Sequence, residues 1–120
     1  MWNYDQKSGK MLPPGSTTPV EGYSGFGQGK NNPSMQDVPD VGPIPIGCYT
    51  IGDPFDDPEK GPCVISLTPQ PGTDTFDRSG FLIHGDSIEH PGQASHGCII
   101  MPRFLREMIA RSADRELTVE

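Results

Sequence analysis

Long apolar runs and clusters of basic residues are both absent from this 120-residue sequence, and aromatic residues make up only 8% of it. No stretch approaches the roughly 18 apolar residues that a membrane-spanning helix requires, so we expect no membrane insertion. Nine lysines and arginines stand against sixteen aspartates and glutamates, a formal net charge of −7. A nucleic-acid partner normally requires a concentrated basic face, so we expect none.

Glycine and proline, in contrast, are plentiful, with 15 and 14 residues. Together with a hydrophobic content of 32%, they favour short strands joined by many turns over a bundle of helices. Apolar clusters such as residues 64–67 and 81–83 recur between turn signals, which argues against disorder. We therefore predict one mainly β domain over residues 1–120, with one helix and one modest core.

The pattern along the chain predicts where the strands lie. Residues 1–12 read as an N-terminal hairpin with its turn at Ser8-Gly9, and residues 13–40, rich in Pro, Gly, Asn and Ser, read as an irregular connection. The acidic run 53–58 reads as a solvated turn. Further strands are predicted at residues 47–51, 63–67, 80–84 and 117–119.

The one convincing helix is predicted over residues 102–112. Pro102 suits the first helical turn. Apolar residues at helical spacing predict a buried stripe formed by Phe104, Leu105, Met108 and Ile109. The arginines at positions 103, 106, 111 and 115 are predicted to form a solvated face.

Three cysteines do not make a disulfide framework, because an odd count leaves one unpaired. Cys48 and Cys63, both on predicted strands, either pair in an oxidising compartment or remain two separate thiols. The first five residues lack the basic-then-apolar pattern of a secretory signal, so we expect a chain made in the cytoplasm without one; a mature chain from which the signal has been trimmed is the alternative.

The most informative segment for chemistry lies between positions 84 and 98. It holds all three histidines, His84, His90 and His96, and the run Ser95-His96-Gly97-Cys98 places a thiol beside them. A thiol is mostly protonated at neutral pH, so a cysteine nucleophile needs a neighbouring base, usually a histidine. Gly97 lets the backbone turn sharply and present N–H groups to a carbonyl under attack. The alternative is that Cys98, which precedes three apolar residues, is simply buried.

A strand histidine followed by Ser-His-Gly-Cys resembles the signature of L,D-transpeptidase catalytic domains, which have the YkuD-like fold. Residues 42–51 are similar to that family's Pro-x-Gly-x-Tyr-x-Ile strand. A short branch of type VI secretion effectors is matched more closely, through residues 2–6, 22–25 and 42–45. The sequence departs from the pattern of the broader family at two points. The spacing between His84 and Ser95 is shorter, which implies a trimmed loop over the site, and Ile100 stands where an asparagine is common.

The resemblance implies a YkuD-like β-sandwich of short strands and a cysteine-dependent enzyme that acts on the tetrapeptide stems of peptidoglycan without a cofactor. L,D-carboxypeptidase, cross-linking and D-amino-acid exchange activities all remain open. It further implies an antibacterial effector that is secreted and acts in the periplasm of a target bacterium. The producing cell would then need a periplasmic immunity protein.

The same resemblance assigns roles to individual residues. Cys98 becomes the nucleophile and His84 the general base, while His96 shapes the turn and the oxyanion environment. The N–H groups of Gly97 and Cys98 are the expected oxyanion donors, and Ser95 could orient a histidine. Asp86 is a weaker candidate that either orients His84 or caps a turn, and we favour the turn. Arg78 and Arg103 are weaker candidates for a cation that binds a substrate carboxylate, and each could instead lie on the surface.

Two other classes of function fit the residues. His84, Asp86, His90 and His96 have the donor types of a zinc site, which would make the protein a zinc-dependent hydrolase, although their spacing matches no recognised metal motif. A non-catalytic wall-binding module would keep the fold without the chemistry.

Overall fold

The computed structural model describes residues 1–120 and is mainly β with one α-helix, as predicted. Two short 3₁₀ helices, Gly27–Gly29 and Pro33–Met35, and two of the strands lie inside the stretch predicted to be an irregular connection. The strands are β1 (Trp2–Asp5), β2 (Lys10–Leu12), β3 (Val20–Glu21), β4 (Tyr23–Ser24), β5 (Gly47–Asp57), β6 (Gly61–Pro69), β7 (Leu82–His84), β8 (Ile99–Ile100) and β9 (Glu116–Val119), and the helix is α1 (Arg103–Arg111).

All nine strands belong to one sheet, in the order β3-β2-β1-β9-β5-β6-β7-β8-β4. Its two edge strands, β3 and β4, are separated in the chain by Gly22 alone, so the sheet curls until it is nearly closed. The Gly22 N–H donates to the Gly9 carbonyl, and a Cβ at Gly22 would overlap the carbonyl oxygen of Ile100. Only glycine allows so close an approach of the two edges.

Strands β5 and β6 form a long antiparallel hairpin that extends beyond the rest of the sheet. The prediction that β5 ends at residue 51 is wrong, because the strand continues to Asp57 through two irregularities in its register. Within β5, only residues 47–50 pair with β9, so the rest of β5 is an edge strand, where Pro54 is tolerated. Residues 53–56, which include Asp53 and Asp56 of the acidic run, are exposed in the strand, and the turn itself lies at residues 58–60.

The inner faces of the sheet and one face of α1 enclose a single core. Leu105 and Ile109 are buried in it as predicted, but Phe104 and Met108 are wrong predictions, with 56% and 44% of their surface exposed. None of the helices has the length and apolar character needed to cross a membrane. The core consists of Trp2, Tyr4, Met11, Ile44, Tyr49, Ile51, Ile65, Leu67, Phe81, Ile83, Ile99, Met101, Leu105, Ile109, Leu117 and Val119.

The predicted solvated arginine face is wrong at two positions. Arg106 is 6% exposed and donates to the carbonyls of Met101, Pro62 and Cys63, which ties α1 to β6. Arg115 donates to the carbonyls of Ile109, Ser112 and Gly52. These arginines therefore satisfy backbone acceptors and do not simply face water.

All three cysteines are free thiols. Cys48 precedes Tyr49, which pairs with Pro69, whereas Cys63 lies at the other end of the hairpin beside Val64, which pairs with Phe55. That register separates the two cysteines by on the order of 20 Å along the strands. A disulfide requires Cα atoms within about 7 Å, so this fold does not allow the Cys48–Cys63 pair.

Candidate active site

A cavity of about 350 Å³ lies beside β7 and the turn that precedes β8. Five of the predicted site residues line it, and Ser95, Asp86 and Arg103 do not. The lining residues are Pro39, Asp40, Lys60, Asp77, Arg78, Ser79, Gly80, Phe81, His84, Ala94, His96, Gly97 and Cys98.

The parallel pairing of β7 with β8 sets the direction of the two reactive side chains. Ile83 pairs with Ile99, and both are fully buried in the core. Because side chains alternate across a strand, His84, the neighbour of Ile83, projects from the opposite face of the sheet, and Cys98 directly precedes β8 beside it. This is how the sequence brings an imidazole and a thiol to one cavity from positions fourteen residues apart.

The Cys98 thiol is partly buried at the cavity wall, with its sulfur 3.9 Å from the Gly80 carbonyl oxygen. Burial raises the pKa of this thiol, and a backbone hydrogen bond from Leu82 and the charges of Lys60 and Arg78 oppose the rise. The thiol is therefore protonated at neutral pH until a base removes the proton.

His84, at the end of β7, is 3% exposed. Its Nδ1 lies 2.8 Å from the Gly85 carbonyl oxygen. A carbonyl can only accept, so Nδ1 carries the proton and Nε2 holds a free lone pair. Nε2 is buried and has no hydrogen-bond partner, the thiol included. Burial also lowers the pKa of His84, so the ring is neutral and basic at neutral pH.

Ser95 holds the turn that carries Cys98, and its hydroxyl makes no hydrogen bond to a histidine. Its hydroxyl donates to the Cys98 carbonyl at 2.6 Å and accepts from the N–H groups of Gly25 and Gly97, at 2.8 and 3.2 Å. The Gly97 N–H is thus occupied, whereas no hydrogen bond engages the Cys98 N–H. Of the two expected oxyanion donors, only Cys98 has a free N–H.

Gly97 itself cannot be replaced without strain. Its φ of +128° is a conformation that L side chains rarely adopt, and a Cβ there would overlap Nη2 of Arg78. The glycine of the motif is therefore required by the backbone turn and by the arginine packed against it.

His96 lies at the rim of the cavity and serves the turn. Its Nδ1 is 3.0 Å from the Asp40 carbonyl oxygen, and its ring stacks on Phe26 with centroids 5.0 Å apart. These contacts attach the Ser-His-Gly-Cys turn to the segment around Asp40, which forms another wall of the cavity. Whether His96 also shapes the oxyanion environment stays a prediction.

Asp86 organises the loop after β7 and makes no hydrogen bond to His84. Its carboxylate accepts hydrogen bonds from the Tyr23 hydroxyl at 2.7 Å and from the N–H groups of Ser87 and Gly92. The Tyr23 hydroxyl in turn accepts from the Ala94 N–H at 2.9 Å. Burial, followed by the Asp86 hydrogen bond, raises the pKa of Tyr23. The structure thus favours the turn-capping alternative for Asp86.

The two candidate cations differ sharply in position. Arg78 is 7% exposed and lines the cavity, but its guanidinium donates to three carbonyls, those of Gln36, Gly42 and Pro43. Burial lowers the pKa of this group. Arg103 is exposed outside the cavity, where it pairs with Glu107 at 3.1 Å. Arg103 is therefore not part of the site.

Sequence reasoning missed Lys60, which lines the cavity from the turn between β5 and β6. No motif marks this lysine, because only the folding of the long hairpin brings it near Cys98. The proposed zinc ligands, His84, Asp86, His90 and His96, are not brought together, since no group of three His, Cys, Asp or Glu residues could hold a metal ion.

The fold and cavity define a small, mainly β protein with a thiol and an imidazole in one pocket. A family model described as the Tlde1 domain matches residues 18–118. This match covers most of the chain and the whole cavity, so the protein belongs to the Tlde1 domain family, a family of type VI secretion effectors. No curated protein matches the chain.

Proposed function

We propose that the protein is a cysteine-dependent enzyme that modifies the tetrapeptide stems of peptidoglycan. One observation carries the proposal above all: the Cys98 thiol shares a cavity with the unpartnered Nε2 of a neutral, buried His84. A nucleophile and a base with an open lone pair are what amide cleavage through an acyl-enzyme requires. The peptidoglycan substrate is drawn from the resemblance to L,D-transpeptidases.

The reaction begins when Nε2 of His84 takes the thiol proton and the Cys98 sulfur attacks the carbonyl carbon of the third stem residue. The negative charge on that oxygen is stabilised by the free Cys98 N–H. His84 then returns the proton to the nitrogen of the fourth residue, which leaves as a free amino acid. No hydrogen bond joins His84 to Cys98 in the unliganded protein, and such contacts commonly shorten when substrate binds.

The thioester that remains on Cys98 has two possible fates. Attack by water releases a shortened stem and makes the protein an L,D-carboxypeptidase. Attack by an amine forms a new amide, which is either a cross-link or an exchanged D-amino acid. Both routes regenerate the thiol and use the same two residues.

The experiment that tests this proposal is mass spectrometry of purified stems after incubation with the protein. We expect loss of the terminal residue, or its replacement by an added amine, and no reaction with Cys98→Ala. Cys48→Ala is the matched control, because this free thiol is exposed and lies outside the cavity. Conversion by Cys98→Ala at a near-normal rate would falsify the proposal, and binding of stems without conversion would favour a wall-binding module.

A further inference from the structure

Lys60 is held in place by the turn at the tip of the β5–β6 hairpin. The Asp57 carboxylate accepts hydrogen bonds from the backbone N–H groups of Glu59 and Lys60, at 2.8 and 3.0 Å. Gly61 follows with a φ of +91°. The turn places Lys60 in the wall of two cavities, the one that contains Cys98 and a neighbour of about 430 Å³. His84 and Ala94 also line both, so Lys60 lies where the two cavities meet.

The ammonium group of Lys60 is available to a ligand, unlike the other cation of the cavity. Its side chain makes no hydrogen bond and no ion pair, whereas Arg78 donates to three backbone carbonyls. The carboxylates of Asp40 and Asp77 line the Cys98 cavity too, and neither forms an ion pair with Lys60. An exposed, unpaired ammonium beside a nucleophile is suited to an anionic part of the substrate.

We propose that Lys60 binds the terminal carboxylate of the residue that leaves the substrate. The identity of that substrate rests on the proposed function, whereas the carboxylate site rests on the hairpin and the cavity alone. Such a contact favours cleavage at the last amide of a chain, because an internal residue has no free carboxylate to bind there. Arg78 then contributes a fixed positive charge and holds the backbone of residues 36–43.

Lys60 also acts on the reactive groups through its charge, and a test must separate this effect from binding. Its positive charge lowers the pKa of Cys98 and of His84, which changes the amount of thiolate. Iodoacetate and iodoacetamide resolve the two effects, because both react with the same thiolate and release iodide. They differ in that only iodoacetate carries a carboxylate, so the ratio of their rates cancels any change in thiolate content.

The experiment measures that ratio at Cys98 in protein whose other cysteines are replaced by serine. Lys60→Met should lower the iodoacetate-to-iodoacetamide ratio by about two- to fivefold, the size expected for loss of an exposed charge pair. Lys60→Arg should largely keep the ratio. Lys7→Met is the matched control, because Lys7 is exposed and lines no cavity. An unchanged ratio in Lys60→Met overturns the carboxylate site.

A second measurement compares tetrapeptide stems that end in a carboxylate with stems that end in a carboxamide. The unaltered protein should favour the carboxylate in kcat/KM, and Lys60→Met should lose that preference while it still cleaves both. An equal fall for both stems assigns Lys60 a purely electrostatic role and overturns the proposal. If neither stem reacts with the unaltered protein, the proposed function fails, and the alkylation ratio still decides the role of Lys60.

Discussion

Burial leaves both reactive groups of the cavity uncharged at neutral pH. It raises the pKa of Cys98 and lowers the pKa of His84, since the charged form of each would lose hydration. The resting site is therefore a neutral thiol beside a neutral imidazole, and not a preformed ion pair. In the reaction that we propose, the thiol proton moves to His84 when the substrate arrives, so His84 acts there as the general base.

The pH dependence of Cys98 alkylation tests this assignment. Burial holds the pKa of His84 below the usual 6.5 of a histidine, so the ring is unprotonated and can accept a proton at pH 6.5 and above. As the pH falls through this lowered pKa, the ring becomes protonated and can no longer act as a base. We expect reactivity with iodoacetamide to persist to below pH 6.5 and then to decline. His84→Ala should slow alkylation near pH 7 and leave only the rise at alkaline pH that belongs to the thiol.

Two other histidines provide controls for that profile. His90→Ala should have little effect, because His90 is exposed and lines no cavity. His96→Ala should change the profile less than His84→Ala, since the Nδ1 of His96 is engaged by the Asp40 carbonyl. A profile shifted by His96→Ala and unchanged by His84→Ala would mean that the base is assigned wrongly.

At the scale of elements, α1 is attached to the sheet by an arginine as well as by apolar packing. Arg106 takes a place on the buried face and satisfies three carbonyls on β6 and on the segment before the helix. Phe104 and Met108 are displaced toward solvent. The buried guanidinium of Arg106 thus links α1 to β6, the strand that pairs with β7, which carries His84.

Replacement of this arginine should cost far more than replacement of its neighbour on the same helix. Arg106→Met leaves three acceptors without their donor, and we expect it to lower the free energy of unfolding by about 2–3 kcal/mol. Arg103→Met removes only an exposed pair with Glu107 and should cost less than about 1 kcal/mol. Urea denaturation of both variants measures the difference, and equal losses would contradict the role given to Arg106.

Local patterns in the sequence predict which helices and strands exist. They predict less well which surfaces of these elements pack together. The helix, the β1–β2 pair and the strands near residues 63–67 and 80–84 follow from periodicity and turn residues. The exposure of Phe104, the burial of Arg106 and the length of β5 depend on which surfaces meet after folding. Helical spacing alone therefore does not reveal which face of α1 is covered.

The candidate site divides in the same way. The sequence points to Cys98, Gly97 and His84 through the Ser-His-Gly-Cys run and the strand histidine before it, and their roles come from the resemblance to L,D-transpeptidases. Ser95 and Asp86 each make local hydrogen bonds, but they also bind Gly25 and Tyr23, which are 70 and 63 residues away in the sequence and could not be predicted from local pattern. Lys60 has no local signal at all, since it reaches the cavity only through the hairpin.

At the scale of the whole molecule, charge and family membership bear on where the protein acts. A Tlde1 domain is the domain of a secreted effector, and we propose that its target is the cell wall of a recipient bacterium. A producing cell then needs an inhibitor in its own periplasm. The net charge of −7 favours a basic face on that inhibitor, which would speed association at low salt.

Directed expression tests the proposed place of action. Peptidoglycan lies outside the cytoplasmic membrane, so the protein should be harmless when it stays in the cytoplasm and should arrest growth when an export signal is attached. Exported Cys98→Ala should be harmless and exported Cys48→Ala toxic at matched protein levels, because only Cys98 lines the cavity. The measurement is growth after induction, with stem composition determined in the arrested cells. Equal toxicity with and without export would indicate a cytoplasmic target and contradict the proposed action on the cell wall.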